Sequence, residues 1–362
     1  AIEQDLNIDH VLELTAKYQE FKDDAILYDF TDMLERFVYE AKLPDFDLLI
    51  VDEAQDLSKL QWRMVEKLVE HSRDVYFAGD DDQAIYAWAG ADVEHFLNLD
   101  AEREVLPTSY RLKRNVFDAC QSVIHFCDDR YSKDWQPHAD GGAVEYCASL
   151  DHLDLTQGTW FLLARTNSLV RSFTKYLRDE GFAFLANGAN GMESSVSVDQ
   201  IQAVLTYENL RKGRAFSGDK LDLVWATISN KLKPENAPVF DPAQEYVLSD
   251  LCSTGFDASV SWLDALSMSG AMQNYIRMLR ARGESLIKQP RITVSTIHGV
   301  KGGEADNVVV WQKLTSRTYK SWLNSDDQEV RALFPAMSRA KDRLIFLDTA
   351  TRSSYHVERM IA

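Results

Sequence analysis

Short apolar runs alternate along the chain with longer stretches in which apolar residues recur at helical spacing. The clearest run is Leu48–Val51, whose consecutive apolar side chains predict a fully buried strand of a parallel sheet. Residues 58–71 follow with a helical pattern, and Val75–Ala78 forms the next run. This order of strand, helix and strand is typical of an α/β fold.

The same alternation returns in the second half of the chain. Runs at Trp160–Ala164, Arg291–Ser295 and Val308–Trp311 predict strands, and residues 168–180 predict a helix. Residues 199–282 have helical spacing interrupted by glycine and proline. The pattern therefore predicts two α/β portions, the second of which contains a helical insertion.

Acidic and amide side chains follow the first two predicted strands. Asp52 and Glu53 come directly after Val51, and Gln83 lies beyond the next strand. In open α/β sheets, ligands bind at the carboxyl ends of the strands. Adjacent carboxylates there suit phosphoryl transfer, in which one holds Mg²⁺ and the other orients an attacking water. The alternative is a strand that ends in a solvated acidic loop.

Composition narrows the class of protein. The chain has 362 residues, of which 45% are hydrophobic and 27% charged, as in soluble globular proteins with ordinary cores. Its cysteines lack the paired spacing of metal sites, and no apolar run approaches the ~18 residues that span a bilayer. We therefore expect a cytoplasmic protein with no membrane partner and no secretory signal.

The net charge bears on nucleic-acid binding. A formal net charge of −18 argues against a surface coated with basic patches. A locally positive groove can still bind nucleic acid within an acidic surface. The charge is thus mild evidence against non-specific, high-affinity DNA binding.

Five segments resemble, in order, motifs of superfamily 1 DNA helicases of the UvrD/Rep/PcrA type. They are VDEAQD at 51–56, GDDDQAIYAWAGAD at 79–92, TSYR at 108–111, TIHGVKGGEAD at 296–306 and FPAMSRAKDRL at 334–344. The resemblance implies an α/β fold with RecA-like parallel sheets of the P-loop NTPase helicase type. The first sheet is expected to be incomplete, and a helical subdomain is expected to be inserted in the second.

The resemblance also implies domain boundaries. Residues 1–133 would form a partial first RecA-like domain, and residues 134–198 would begin the second. Residues 199–285 would be the helical inserted subdomain, and residues 286–362 would complete the second RecA-like domain.

By resemblance, three residues of the first portion serve ATP hydrolysis. Asp52 would bind Mg²⁺, and Glu53 would activate the attacking water. Gln83 would contact the γ-phosphate and that water, which would couple the state of the nucleotide to the DNA site beside it.

The resemblance places four further residues around the nucleotide. Arg111 and Arg339 would be arginine fingers, because a guanidinium matches phosphate oxygens and stays charged. Tyr110 would stack on the adenine, and Glu304 would hydrogen-bond the ribose. Each arginine alone has a commoner alternative, which is a surface salt bridge.

Single-stranded DNA would contact three residues. Tyr86 and Trp88 would offer rings on which bases stack, and His298 would touch the sugar-phosphate backbone. The alternatives are core packing for one of the two rings and a hydrogen-bonded structural role for the histidine. Family members often have arginine where this chain has Ala89, which puts one backbone contact in doubt.

The phosphate-binding loop GxxxxGK[ST] does not occur in the sequence. In the family it lies upstream of the Walker B strand. We therefore expect this chain alone to hydrolyse ATP poorly. The explanations are a shortened gene product, a second chain that supplies the Walker A half, or a degenerate relative, and the retained site residues disfavour the last.

The sequence thus predicts an ATP-dependent DNA helicase and single-stranded DNA translocase of the UvrD type that lacks the Walker A loop. ATP and Mg²⁺ are the expected cofactors, and single-stranded DNA and duplex junctions are the expected partners. Family analogy implies 3′→5′ movement. The alternative is a non-enzymatic module that binds single strands or a partner protein without turning over ATP.

Overall fold

The computed structural model describes residues 8–188, 191–233, 238–253, 255–257, 259–324, 327–348 and 350–361. The chain divides into two compact units. The first comprises Ala1–Glu104 and Asp129–Ser132, and the second comprises Val105–Asp128 and Lys133–Ala362. The domain boundaries expected at residues 133, 198 and 285 remain predictions.

The first unit begins with two helices, α1 (Ile8–Ala25) and α2 (Phe30–Glu40). Asp29 and Asp32 form a capping box at the start of α2, in which each carboxylate accepts the other residue's backbone N–H. The buried Lys22 of α1 forms ion pairs with Asp29 at 2.9 Å and with Asp32 at 2.7 Å. This triad joins the two helices.

A parallel pair of strands follows. β1 (Phe46–Val51) leads through α3 (Lys59–Val69) to β2 (Ser72–Phe77), as the apolar pattern predicts. Trp62 and Val65 of α3 are buried against one face of this pair. A short helix, α4 (Val93–Leu97), completes the unit.

The prediction that β1 is fully buried is wrong. Leu48 is 52% exposed, and Ile50 and Tyr76 are each 64% exposed. Successive side chains of a strand point to opposite faces, and α3 covers only one face of β1 and β2. Within the described residues, the other face carries exposed apolar side chains.

The second unit opens with β3 (Thr108–Lys113), α5 (Arg114–Ile124) and β4 (Gln136–Ala139). Its main sheet has the order β5-β13-β12-β6-β11-β7-β8, and every pair is parallel except β7 with β8. The sheet strands and their neighbours, in chain order, are β5 (Ala143–Cys147), β6 (Trp160–Ala164), α6 (Asn167–Glu180), β7 (Phe184–Gly188), β8 (Gly191–Ser194), α7 (Val198–Arg211), β9 (Phe216–Ser217), α8 (Gly218–Thr227), β10 (Glu245–Tyr246), α9 (Leu248–Ser253), α10 (Trp262–Ala265), α11 (Gly270–Ala281), β11 (Ile292–Thr296), β12 (Ala305–Trp311), α12 (Ser316–Leu323), α13 (Asp327–Met337) and β13 (Ala340–Leu347). This arrangement confirms the expected α/β fold of RecA-like type.

Two cores cover the two faces of the main sheet. Leu162 of β6 packs in a core that includes α6 and the helices α7 to α11, whereas the adjacent Leu163 packs against α5 and α13. Burial of both faces is typical of parallel sheets and explains their nearly continuous apolar runs. Among the described residues, none of the helices is long and apolar enough to cross a membrane.

Candidate functional site

The carboxyl end of β1 carries two exposed carboxylates. Asp52 Oδ1 accepts a hydrogen bond from the Glu53 backbone N–H at 2.8 Å. Glu53 has φ of 51° and ψ of 38°, a left-handed conformation that is uncommon for residues with a Cβ. Such a conformation costs about 1–3 kcal/mol and persists only where the surroundings determine it.

A buried amide joins the ends of β1 and β2. The Gln55 side chain is 0% exposed and donates to Glu53 Oε2 at 2.6 Å. Its Oε1 accepts from the Asp80 backbone N–H at 3.0 Å, and Asp80 Oδ2 accepts from Gln83 Nε2 at 2.7 Å. Glu53 and Gln83 are therefore linked through two intermediate residues, Gln55 and Asp80.

Sequence reasoning left Gln55 without a role. The available signal was an amide within the acidic segment that follows β1. Gly79 supports its position, because a Cβ there would lie 2.6 Å from Gln55 Oε1 and 2.8 Å from the Phe96 ring. The close approach of these groups requires glycine.

Residues 129–132 close over the acidic loop that precedes Gln83. Arg130 donates from Nε and Nη2 to the two carboxylate oxygens of Asp82 at 2.8 and 2.7 Å. The Tyr131 N–H donates to Asp81 Oδ2 at 2.8 Å. Asp81 and Asp82 are each 1% exposed, so these bonds compensate buried charge.

The oxygens of Asp80, Asp81 and Asp82 lie within 4.8 Å of one another, a spacing that could hold a metal ion. All three carboxylates already accept hydrogen bonds from protein groups. We interpret this cluster as the framework of the loop. Sequence reasoning missed Arg130, because its partner lies far away along the chain.

The two candidate stacking rings differ in exposure. Trp88 is 70% exposed and lies in the 3₁₀ turn Ala87–Ala89, whereas Tyr86 is partly buried. Their ring centroids lie 6.4 Å apart, and the planes are inclined at 56°. The alternative of core packing is therefore wrong for Trp88, because its ring is exposed.

In the second unit, Glu304 lies between two cations. Arg111 Nε donates to Glu304 Oε2 at 3.1 Å, and Lys341 forms an ion pair with the other oxygen. Together Lys341 and Arg111 hold the pKa of the Glu304 carboxyl below its ordinary value. Sequence reasoning missed Lys341, although it lies two residues after Arg339.

Arg339 lies beside this cluster. It is 2% exposed, and it donates to the Pro335 carbonyl at 3.0 Å and to the Gly303 carbonyl at 3.2 Å. Arg111 donates to the carbonyl of Ser338 at 3.3 Å. The structure thus brings Arg111, Glu304 and Arg339 together. The alternative of an exposed salt bridge is wrong for Arg339, because this residue is buried.

Tyr110 belongs to the same unit and has a highly exposed side chain. Its side chain, on β3, is 89% exposed. An aromatic ring with this exposure can accept a stacking partner.

His298 lies in the 3₁₀ turn that follows β11. Burial and the nearby positive charge of Arg165 lower the pKa of His298 to about 4. This pKa favours an uncharged ring at neutral pH. Arg165 itself forms two hydrogen bonds of 2.9 Å with Glu329, which is 5% exposed. Sequence reasoning missed this buried pair.

Comparison with known proteins finds two segments of the chain that are similar to helicase domains. Residues 3–104 match the UvrD/REP helicase N-terminal domain, and residues 291–347 match the UvrD-like helicase C-terminal domain. The ATP-dependent DNA helicase PcrA of Leuconostoc citreum is 26% identical over 216 residues, which cover 58% of this chain and 27% of that protein. DNA helicase II of Haemophilus influenzae is 34% identical over 152 residues, which cover 38% of this chain and 21% of the relative. DNA helicase II of Escherichia coli is 33% identical with the same coverage. The chain thus spans about a fifth to a quarter of these relatives' length.

Replacement of Arg130 by methionine tests the closure over the acidic loop. The Arg130→Met variant removes a guanidinium that donates two hydrogen bonds to the buried Asp82 carboxylate, so we expect a loss of about 3–5 kcal/mol in the free energy of unfolding. Chemical denaturation measures the loss. The matched control is Arg73→Met, which removes exposed ion pairs with Asp47 and Asp74 and should cost less than about 1 kcal/mol. Equal losses in the two variants would contradict this assignment.

The lowered pKa of His298 predicts a pH dependence of stability. The folded pKa is about 4 and the ordinary value is 6.5, so between these values the unfolded chain binds more protons. The free energy of unfolding should therefore fall as pH drops through this window, by at most about 1.4 kcal/mol per pH unit. His298→Asn should reduce that slope. If the two proteins lost stability equally between about pH 4.5 and about pH 7, the ring would not be held neutral in the folded state.

Proposed function

We propose that this chain works as part of an ATP-dependent DNA helicase of the UvrD type that moves along single-stranded DNA, because it matches both the N-terminal and the C-terminal helicase domain. One observation carries the proposal. Arg111, Glu304 and Arg339 come from separate strands and loops, yet hydrogen bonds gather them at one place.

The cluster of the second unit suits a nucleotide. Arg111, Arg339 and Lys341 supply positive charge where phosphate oxygens would be held, and such charge stabilises phosphoryl transfer. The exposed ring of Tyr110 would stack on the base, and Glu304 would hydrogen-bond the ribose. Because Glu304 is engaged by two cations in the structure, the same carboxylate also orients Arg111.

The first unit suits the metal and the attacking water. Asp52 offers exposed carboxylate oxygens, which are the ligands that Mg²⁺ prefers. Glu53 would orient and deprotonate a water, and the bridge through Gln55 and Asp80 would relate its position to that of Gln83. When bound, the magnesium nucleotide supplies the phosphoryl group and offsets its charge.

The given sequence contains no GxxxxGK[ST], and the proposed activity requires a phosphate-binding loop. We propose that this segment, on the same or a second polypeptide, packs against the open face of β1 and β2. The exposed side chains of Leu48, Ile50 and Tyr76 support this, because parallel sheets normally have both faces covered. Helix α1 also carries exposed apolar residues, among them Ile8, Leu12 and Phe21.

Single-stranded DNA would be bound chiefly by stacking and arginine contacts. Trp88 presents an accessible ring, with Tyr86 beside it, and stacking tolerates any base sequence. A neutral His298 would add a hydrogen bond to the sugar-phosphate backbone but no charge.

The second candidate function is a module that binds single strands without ATP turnover. It is favoured by the absence of the phosphate-binding loop from the printed sequence, together with the exposed Trp88. The two candidate functions predict different outcomes when the loop is supplied. The helicase should then hydrolyse ATP, whereas the binding module should not.

Complementation tests the enzymatic proposal. We expect the 362-residue chain alone to hydrolyse ATP about tenfold or more below its rate after addition of a polypeptide with a GxxxxGK[ST] loop and flanking strands. The readout is phosphate release in the presence of single-stranded DNA. Equal rates with and without the added polypeptide would refute the need for the loop, and no activity in either case would favour the binding module.

A charged substitution tests the proposed docking face on β1 and β2. Ile50→Lys places a charge on the open face of the sheet and should prevent complementation, because burying an unpaired ammonium is costly. Val239→Lys is the control, since Val239 is 94% exposed and lies in the second unit. Complementation that survives Ile50→Lys would exclude this face.

Replacement of Trp88 by alanine tests the DNA site without any nucleotide. Loss of one stacking ring should weaken binding of an oligothymidylate by about 1–3 kcal/mol, or about 5- to 150-fold. Fluorescence anisotropy of the full chain measures this. Phe30→Ala removes another exposed aromatic ring of the same unit, 84% exposed, and should leave the affinity unchanged. Equal effects of the two substitutions would argue against a specific stacking site.

A further inference from the structure

A pocket of about 510 Å³ lies beyond the carboxyl end of β13, separate from the clusters above. Tyr319 of α12 forms one wall, and Asp348, Arg352, His356 and Arg359 line the rest. Its volume falls within the range of small-molecule sites. The residues after Leu347 also lie outside the segment that matches the C-terminal helicase domain.

The wall of the pocket is anchored to the sheet. The Tyr355 N–H donates to the Gln312 carbonyl at 3.0 Å, and the Val357 N–H donates to the Gln312 side-chain oxygen at 2.9 Å. Tyr355 is 1% exposed and packs edge-on against Trp322, with ring centroids 5.0 Å apart. These buried contacts fix the backbone on both sides of His356.

Two residues in the wall have strained backbones. Ala350 and His356 both have φ of 52°, although neither is glycine. Both line the pocket. Conformations of this kind cluster at ligand-binding segments, where the surrounding structure maintains them.

The pocket presents unused cationic donors. Arg352 and Arg359 are exposed, and their guanidinium groups form no hydrogen bond or ion pair with any residue that the structure describes. Asp348, the acidic residue of the lining, accepts a hydrogen bond from the Ala350 N–H at 2.9 Å. Two unpaired guanidinium groups are notable in a chain of net charge −18. Their planar forks match phosphate oxygens.

We propose that this pocket binds a nucleoside phosphate, with the two arginines on the phosphate and the Tyr319 ring against the base. The source is a nucleotide unit of the bound single strand. β13, β12, β6 and β11 are parallel neighbours, so their carboxyl ends share one edge of the sheet. Three strand spacings, about 14 Å, separate the end of β13 from the end of β11.

That edge also carries His298, which directly follows β11. A single strand of DNA that contacts His298 would therefore reach the pocket within a few nucleotides. The assignment of the strand as the source rests on the proposed function, whereas the affinity of the pocket for a nucleoside phosphate does not.

The experiment compares the full chain with the double variant Arg352→Gln/Arg359→Gln. Removing two phosphate contacts should reduce the steepness of log affinity against log salt for an oligothymidylate by about 1.4. The ratio of the affinity of the unmodified chain to that of the variant should then fall about sevenfold between about 50 and 200 mM salt. Arg214→Gln/Arg277→Gln makes the same change of charge at exposed positions and should leave the slope unaltered.

Titrations with thymidine monophosphate and with inorganic pyrophosphate separate the possible sources. Tyr319→Leu should weaken the oligonucleotide and the monophosphate but not pyrophosphate, because only the first two carry a base. Monophosphate binding that the arginine variant abolishes, with an unchanged oligonucleotide slope, would overturn the strand as the source.

Failure of the proposed function gives a different result. The chain would then bind no oligonucleotide, while monophosphate binding would still depend on the two arginines, and the pocket proposal would stand. Identical behaviour of the arginine variant and its control toward all three ligands would overturn the pocket proposal.

Discussion

A buried polar group without a hydrogen-bond partner is costly, and this constraint fixes the strand ends on which the candidate site depends. The Gln55 amide has no contact with solvent, so its donor and its acceptor must both be satisfied by protein. Glu53 and the Asp80 N–H meet this requirement. Because an unmade bond in a buried site costs about 1–3 kcal/mol, the bridge holds two loops that the sheet alone would leave independent.

The second unit solves the same problem with guanidinium groups. Arg339 is buried, and backbone carbonyls of Pro335 and Gly303 accept its hydrogen bonds. An arginine held in this way keeps its charge and can contribute positive potential at the site. Arg111 forms an ion pair with Glu304. A bound phosphate would therefore compete with Glu304 for the Arg111 guanidinium.

The sequence predicts the strands better than their surroundings. The apolar run at Leu48–Val51 identifies β1, and the rule for carboxyl ends places Glu53 near Gln83, because both follow from short-range periodicity and sheet direction. Exposure of Ile50 could not be predicted, since burial depends on which layers cover the sheet. Arg130 and Lys341 escaped notice for a related reason, because ion pairs between distant segments leave no periodic signal.

The neutral state of His298 limits what this residue could contribute to the proposed DNA site. The identity of the residue suggests a cationic contact, but its pKa is set by burial and by Arg165, which only the tertiary structure brings near. With that charge absent and a net charge of −18 on the chain, long-range attraction to the phosphate backbone is weak. Under the proposed function, affinity for DNA would then depend on stacking at Trp88 and on a few arginines. Stacking does not distinguish one base from the next, so a protein bound in this way can shift along a strand without losing its main contact.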